Sequence, residues 1–212
     1  MPVIRTPVTA VAAAAGLFLA CPSAAAAAPA HQAHVTTRAA TPAAAPNAIA
    51  DGSFEYPTAS PNSFQTFAAG QSIGPWQVTS GSVDLIGAGY WQAADGAQSI
   101  DLNGDDTGSV AQTFATAPGT KYTVTYSLAG NPGGPPTVKT GEALIGGRDY
   151  QDFSFNITGK TPTSMGYSPH GFTFVASAPA TTLTFASTTP SSAWGPVVDN
   201  VEVEPLQLCP CA

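Results

Sequence analysis

The sequence predicts an all-β fold, an antiparallel jelly-roll β-sandwich of about ten strands. Three observations predict it. Short strand-like runs recur along the chain, each bounded by Gly, Pro, Asn or Asp. No stretch of the main domain sustains the i, i+3, i+4 apolar stripe of a helix. The segment carrying these runs, about 160 residues, suits two sheets of four or five strands better than a smaller immunoglobulin-type sandwich.

The clearest strand is Lys121 to Leu128. There Tyr122, Val124, Tyr126 and Leu128 share one face while Thr123, Thr125 and Ser127 share the other, the two-residue period of a half-buried strand. The same alternation marks Phe153, Phe155 and Ile157, then Phe172 and Phe174, Leu183 and Phe185, and Val201 and Val203. Those residues are the expected core. Further strands are expected at Ser53 to Glu55, Trp76 to Thr79, Val83 to Ile86, Gln98 to Leu102, Val110 to Phe114 and Val138 to Leu144. The Asn131-Pro-Gly-Gly-Pro-Pro136 segment reads as a loop, because its prolines cannot donate to a ladder.

Ahead of this domain, residues 1–30 have the layout of a signal peptide: Arg5, an apolar run from Val8 to Ala20, then small residues with a cleavage pattern at Ala28-Pro29-Ala30. That run, about 13 residues, is shorter than the roughly 20 that span a bilayer, so no transmembrane segment is expected. A rival cut before Cys21 would make a lipoprotein. Residues 31–46, rich in Ala, Thr and Pro, read as a disordered linker, 47–205 as the domain and 206–212 as a flexible tail. The expected location is secreted or extracellular, with cell-wall association. Cys209 and Cys211, one proline apart, are too close to staple a core; a frayed tail, an intermolecular disulfide and a soft-metal site are the three readings of the pair.

The chain has six basic and thirteen acidic residues, and Arg5 and Arg38 precede the domain; four basic against thirteen acidic leaves the domain near −9. Nucleic acid is excluded as an expected partner, since phosphate binding rests on clustered Lys and Arg. A surface rich in Thr, Ser, Gly and Asn suits a neutral, hydroxyl-rich partner instead.

Several strings set within this β pattern, Asp51-Gly-Ser-Phe-Glu55, Gly74-Pro-Trp76, Gly81-Ser-Val-Asp-Leu-Ile86, Tyr90-Trp-Gln-Ala-Ala-Asp-Gly96, Ser99-Ile-Asp-Leu-Asn-Gly104 and Ala129-Gly-Asn-Pro132, together resemble one family. It is the bacterial choice-of-anchor C family, similar to the plant cell-wall proteins labelled domain of unknown function six hundred forty-two. The resemblance runs from Asp51 to Val203 and implies a galactose-binding-like jelly roll that binds cell-wall or extracellular polysaccharide. The first string usually opens with Asn; Asp51 keeps an oxygen cap there. The sequence closes on Cys209-Pro-Cys211-Ala212, without the apolar anchoring helix to which the family name refers.

Asp199 is the main physical anomaly. On a last strand from Val197 to Val203 it shares its face with Val197, Val201 and Val203, which puts a carboxylate on the core side, where it needs a partner. The resemblance places a structural calcium between first and last strands, with Glu55 and Asp199 as its carboxylates and backbone carbonyls completing six to eight oxygens. The other reading has Asp199 capping backbone amides at a turn and Glu55 in solvent. Asp101-Leu-Asn-Gly-Asp-Asp106 is oxygen-rich but lacks the twelve-residue loop and final Glu of an EF-hand, and reads as a polar turn.

Aromatic side chains supply the binding expectation, because a sugar's apolar face packs on Trp or Tyr while amides and carboxylates take its hydroxyls. Tyr90, Trp91 and Gln92 lie between glycine-flanked turns beyond the Val83 to Ile86 strand, where an exposed aromatic pair has no core to join. Asp84, projecting opposite Val83 and Leu85, and Asn103, closing the following strand, are the candidate polar contacts, with Trp194 a second aromatic in a loop. Trp91 alternatively packs over the sandwich end, and Trp76 reads as core. No Ser-His-Asp set can be assembled, since His31 and His34 fall in the linker and His170 in a loop. The expected protein is therefore a non-catalytic glycan binder. A surface or adhesion protein with a protein partner is the alternative, and a glycan-cleaving enzyme the third class.

Overall fold

The computed structural model describes residues 46–190 and 193–206. The expected signal peptide, nearly all of the expected linker, and Cys21, Cys209 and Cys211 lie outside these residues. Among the described residues no helix is long and apolar enough to cross a membrane.

Twelve strands form two six-stranded antiparallel sheets, a jelly-roll β-sandwich as the sequence predicts. The first sheet runs in the order β1 (Phe64–Ala68), β4 (Ser82–Ile86), β5 (Ser99–Asp101), β12 (Pro196–Pro205), β7 (Lys121–Gly130) and β10 (Ser168–Val175). The second runs β2 (Ser72–Ile73), β3 (Trp76–Ser80), β6 (Ser109–Ala115), β11 (Ala180–Ser187), β8 (Val138–Ile145) and β9 (Arg148–Asn156). The alternation read from the sequence sets the inner faces. Tyr122, Val124, Tyr126 and Leu128 of β7 are all buried, and the Tyr126 ring meets Phe185 of β11 edge-on at 4.8 Å between centroids. Trp76 is fully buried between Phe54 and Phe185. The Tyr126 hydroxyl donates to Gln151 Oε1 at 2.8 Å, so the ring's polar tip is satisfied.

His170 lies on β10 opposite Tyr126 and not in a loop as expected, and two further expectations need correction. Ser53 to Glu55 is a turn, not a strand: Phe54 takes a positive φ of 56°, and Asp51 Oδ1 and Oδ2 accept the Glu55 and Tyr56 amides at 2.8 and 3.2 Å. The oxygen cap expected of Asp51 is thus the device that shapes the turn.

The second correction concerns β12. Antiparallel partners share a face, so Val198 opposite Leu128 and Val203 opposite Val124 both point into the core. They differ in parity. The pairing with β7 shifts between Asp199 and Glu202, where Asn200 adopts a φ of 49° that Asn tolerates better than most residues. The bulge inverts the face, so Asp199, opposite Ser127, lies on the outer side of the sheet and not with Val201 and Val203 as a regular strand would have it. It is nonetheless fully buried, under connections that cross the outer face.

Beyond the end of β5 the second half of β12 is flanked by residues 47–52. Ala48 N donates to Val203 O at 2.8 Å and Val201 N to Gly52 O at 2.9 Å. Backbone approaches so closely there that a Cβ on Gly52 would overlap the Val201 carbonyl. Gly52→Ala is therefore expected to cost about 1–3 kcal/mol, a fall in melting temperature of several degrees for a domain of this size, measured by thermal denaturation.

Candidate functional site

The outer face of the first sheet carries the site. Register places Thr66, Asp84, Asp101 and Val197 in one row across β1, β4, β5 and β12, with Phe64, Ile86 and Ser99 in the next. Val83, Leu85 and Ile100, on the opposite face, are fully buried in the core. Around this row rise residues 87–98, 102–108, 131–137, 188–190 and 193–195. They leave a cleft of about 200 Å³ lined by Phe64, Asp84, Ile86, Tyr90, Trp91, Gly104, Asp105, Asn131, Gly133, Ala193 and Trp194.

Four of the six binding residues expected from sequence, Asp84, Tyr90, Trp91 and Trp194, line this one cleft. The structure changes the part played by Trp91. Only 6% exposed, it joins the core cluster, and its Nε1 donates to Ser99 Oγ at 2.8 Å, so the expectation of an exposed pair holds for Tyr90 alone, 40% exposed. Tyr90 stands edge-on between Trp91 at 5.4 Å and the half-exposed Phe64 at 5.5 Å. Gln92 turns away from the cleft: its Oε1 accepts the Met165 amide at 3.2 Å and its own amide donates to Pro162 O at 2.7 Å. Asn103 is buried behind the wall, its Nδ2 on Thr189 O at 3.3 Å.

Phe64, Asp105 and Asn131 went unrecognised in the sequence. Asn131 had a detectable signal, since it begins the proline- and glycine-rich loop. Its Oδ1 accepts Gly133 N at 2.8 Å and its Nδ2 donates to Asp101 Oδ2 at 2.7 Å. Trp194 packs on that loop so closely that a Cβ on Gly134 would lie 2.5 to 2.7 Å from the indole ring. From beneath, the buried Lys139 reaches along the core and its Nζ donates to Gly134 O at 2.7 Å. Burial lowers the Lys139 pKa, and the negative charge of Asp101 acts against that shift.

Asp101 ties these pieces together. Its Oδ1 accepts the amides of Asn103 and Gly195 at 2.9 and 3.0 Å, alongside the Asn131 contact. Burial nevertheless dominates and raises its pKa to about 7. Asp84, with Oδ1 accepting the Thr66 hydroxyl at 2.6 Å, is raised mainly by burial as well, and Asp105 adds like charge.

Glu55 and Asp199 clamp a single segment. Glu55 Oε1 accepts the amides of Ala97 and Gln98 at 2.7 and 2.8 Å. Asp199 Oδ2 accepts those of Ala94 and Asp95 at 2.7 and 3.1 Å, and its Oδ1 that of Asn200 at 2.6 Å. The compensation sought for Asp199 thus comes from N–H donors. Such a donor set does not suit calcium, which asks for six to eight oxygens. Burial outweighs the three amides and raises the Asp199 pKa to about 7. Elsewhere, on the β8–β9 hairpin, Glu142, Asp149 and Asp152 bring carboxylate oxygens within 4.8 Å of one another, with both aspartates exposed.

The family described as "Protein of unknown function (DUF642)" matches residues 47–204. The chain belongs to the DUF642 family. The matched range contains every cleft residue, from Phe64 to Trp194. Halomucin of Haloquadratum walsbyi (strain DSM 16790 / HBSQ001) is 35% identical over 164 residues, which are 74% of this chain and 2% of that protein's length. Among solved structures, a family 35 carbohydrate-binding module from Clostridium thermocellum is similar at 12% identity, with 66% of this chain and 97% of that chain covered and a TM-score of 0.44. The module TmCBM61, solved with β-1,4-galactotriose, is similar at 14% identity, with 76% and 99% covered and a TM-score of 0.47.

Two measurements follow from the buried carboxylates. A folded-state pKa of about 7 against an ordinary 3.8 means that the folded form of Asp101 or Asp199 holds its proton more tightly, so the associated stability is lost as pH rises through about 7. The melting temperature is expected to be higher at pH 5 than at pH 8, and Asp101→Asn is expected to flatten that slope. Chelator is expected to leave the melting temperature unmoved; a calcium site at about 100 times its dissociation constant would instead forfeit roughly 2.7 kcal/mol.

Proposed function

We propose that this chain is an exported, non-catalytic carbohydrate-binding module for cell-wall or extracellular polysaccharide. The observation that carries this reading is the cleft itself. Aromatic surface from Phe64, Tyr90 and Trp194 surrounds the carboxylates of Asp84 and Asp105 and the amide of Asn131. Stacking surface beside fixed hydrogen-bonding groups is what a sugar ring requires, since its faces are apolar and its edge is hydroxylated. Preorganisation supports the same reading: Asp101, Lys139 and the glycine pair hold Asn131 and Trp194 in place before any ligand arrives, which lowers the entropic cost of binding.

Export rests on the signal-peptide layout of residues 1–30, and placement within the choice-of-anchor C group on the strings around Tyr90 and Ser99. Histidine-based catalysis finds no support at the cleft, given the setting of His170, the one histidine among the described residues. It stacks on Tyr126 at 5.5 Å and contacts Ser168 Oγ at 3.2 Å, and it does not line the cleft.

The test is a glycan array and insoluble-polysaccharide pull-down with the full chain. Selective retention is expected, and Trp194→Ala is expected to weaken it by about 2 kcal/mol, roughly 30-fold, with the melting temperature little changed. Absence of retention would redirect the assignment to a protein partner. Products released on prolonged incubation would redirect it to a glycan-cleaving enzyme.

A further inference from the structure

Resting on the glycan reading of this cleft, we infer that it accepts one terminal or side-branch residue of a neutral sugar and rejects uronates. Two independent features carry the inference: the size of the cleft and the signs of the charges around it.

The cleft holds about 200 Å³, less than the roughly 300 Å³ at which pockets for drug-sized ligands begin. That is room for one sugar ring with its hydroxyls; the hollow of about 300 Å³ on which Tyr90 and Trp91 also border, lined further by Gly89, Gln92, Pro162 and Thr163, is a separate one. Walls rise from several connections: Tyr90 and Trp91 from residues 87–98, Gly104 and Asp105 from 102–108, Asn131 and Gly133 from 131–137, and Trp194 from 193–195. A ring entering between them leaves its continuing chain outside. Chain ends and single-residue branches have that shape.

Every charged side chain that lines the cleft is acidic: Asp84 at the floor and the exposed Asp105 at the rim. Asp101 stands behind Asp84 in the adjacent strand and adds its charge as pH rises through about 7. Lys139, whose ammonium meets the 131–137 loop, is turned beneath it with Nζ on the Gly134 carbonyl and does not line the cleft. A hydroxyl donates readily to these carboxylates. The carboxylate of a uronic acid cannot, and it would meet like charge where burial has already thinned the water. The cleft therefore selects through repulsion as well as attraction, within a domain whose four basic residues face thirteen acidic ones.

The experiment titrates the full chain at low salt with pairs of methyl glycosides that differ only at carbon six. They are methyl galactoside and methyl galacturonoside, and methyl glucoside and methyl glucuronoside. At least one neutral member is expected to bind about tenfold more tightly than its uronate. Asp105→Asn is expected to narrow that ratio, whereas Asp106→Asn, with the same change of net charge outside the cleft, is expected to leave it unchanged. Uronate binding equal to or tighter than neutral binding overturns the inference, as does an equal effect of the two Asn variants. If no glycoside binds yet polysaccharide is retained and released by Trp194→Ala, the single-residue size falls while the glycan reading stands. If no polysaccharide is retained, the glycan reading falls and takes this inference with it.

Discussion

A carboxylate shut away from water must find donors, and Asp101 finds them in three different connections. Its oxygens hold the amide of Asn103, the amide of Gly195 and the side chain of Asn131, each belonging to a loop that frames the cleft. The strand that carries it is only three residues long, and backbone contacts such as Leu102 N to Pro196 O at 3.0 Å and Asn131 N to Gly195 O at 2.9 Å reinforce the same junction. Removing the carboxylate would strand three donors at once, each at about 1–3 kcal/mol if left unsatisfied. Stability and site geometry are thereby coupled through one residue, and the raised pKa of Asp101 is the cost of that coupling expressed in protons.

A second clamp works on the opposite flank by the same rule. Glu55 and Asp199 each accept consecutive amides of the 94–98 segment, closing the connection that carries Tyr90 and Trp91. The Asp199 arm exists because of the bulge at Asn200. Without that extra residue the side chain would face the core, where no amide waits for it. The Tyr167 hydroxyl shares the buried layer with Asp199, and burial pushes its pKa up. Carboxylates are thus concentrated on the outer face of the first sheet, while the space between the sheets is mainly apolar, with Lys139 and Gln112 as buried polar side chains within it. The binding chemistry and the packing chemistry occupy different sides of the same strands.

That division explains what was legible in the sequence. The inner faces follow a strict two-residue period, so β7, β9, β10 and β11 could be read from alternating aromatics and aliphatics. Asp84 could be placed outward by the same rule, and Trp194 and Tyr90 could be picked out because each lies in a loop with few apolar neighbours. Asp199 was flagged correctly as a buried carboxylate, but its face was misread because a bulge leaves no mark on composition beyond a single Asn. Of the two readings of Trp91 the packed one holds, and sequence alone leaves the choice open because its partner Ser99 is on the next strand, a contact that local sequence does not encode. Phe64 sits on an edge strand with only one buried residue, too weak a pattern to recognise. Asn131 and Asp105 owe their roles to where their loops converge, which only the fold decides.

The three tryptophans of the chain occupy three unlike surroundings. Trp76 is sealed in the core with its Nε1 on the Asp51 carbonyl at 2.9 Å, Trp91 is nearly as enclosed, and Trp194 alone is half-exposed, lying on a bed of glycine at the cleft. Emission from Trp76 therefore reports on folding, Trp91 borders the cleft from an enclosed position, and the part of the fluorescence that a water-borne quencher can reach comes from Trp194. The protein carries its own optical gauge: the red-shifted, quenchable component senses what enters the cleft, while the blue component registers whether the sandwich around it is intact.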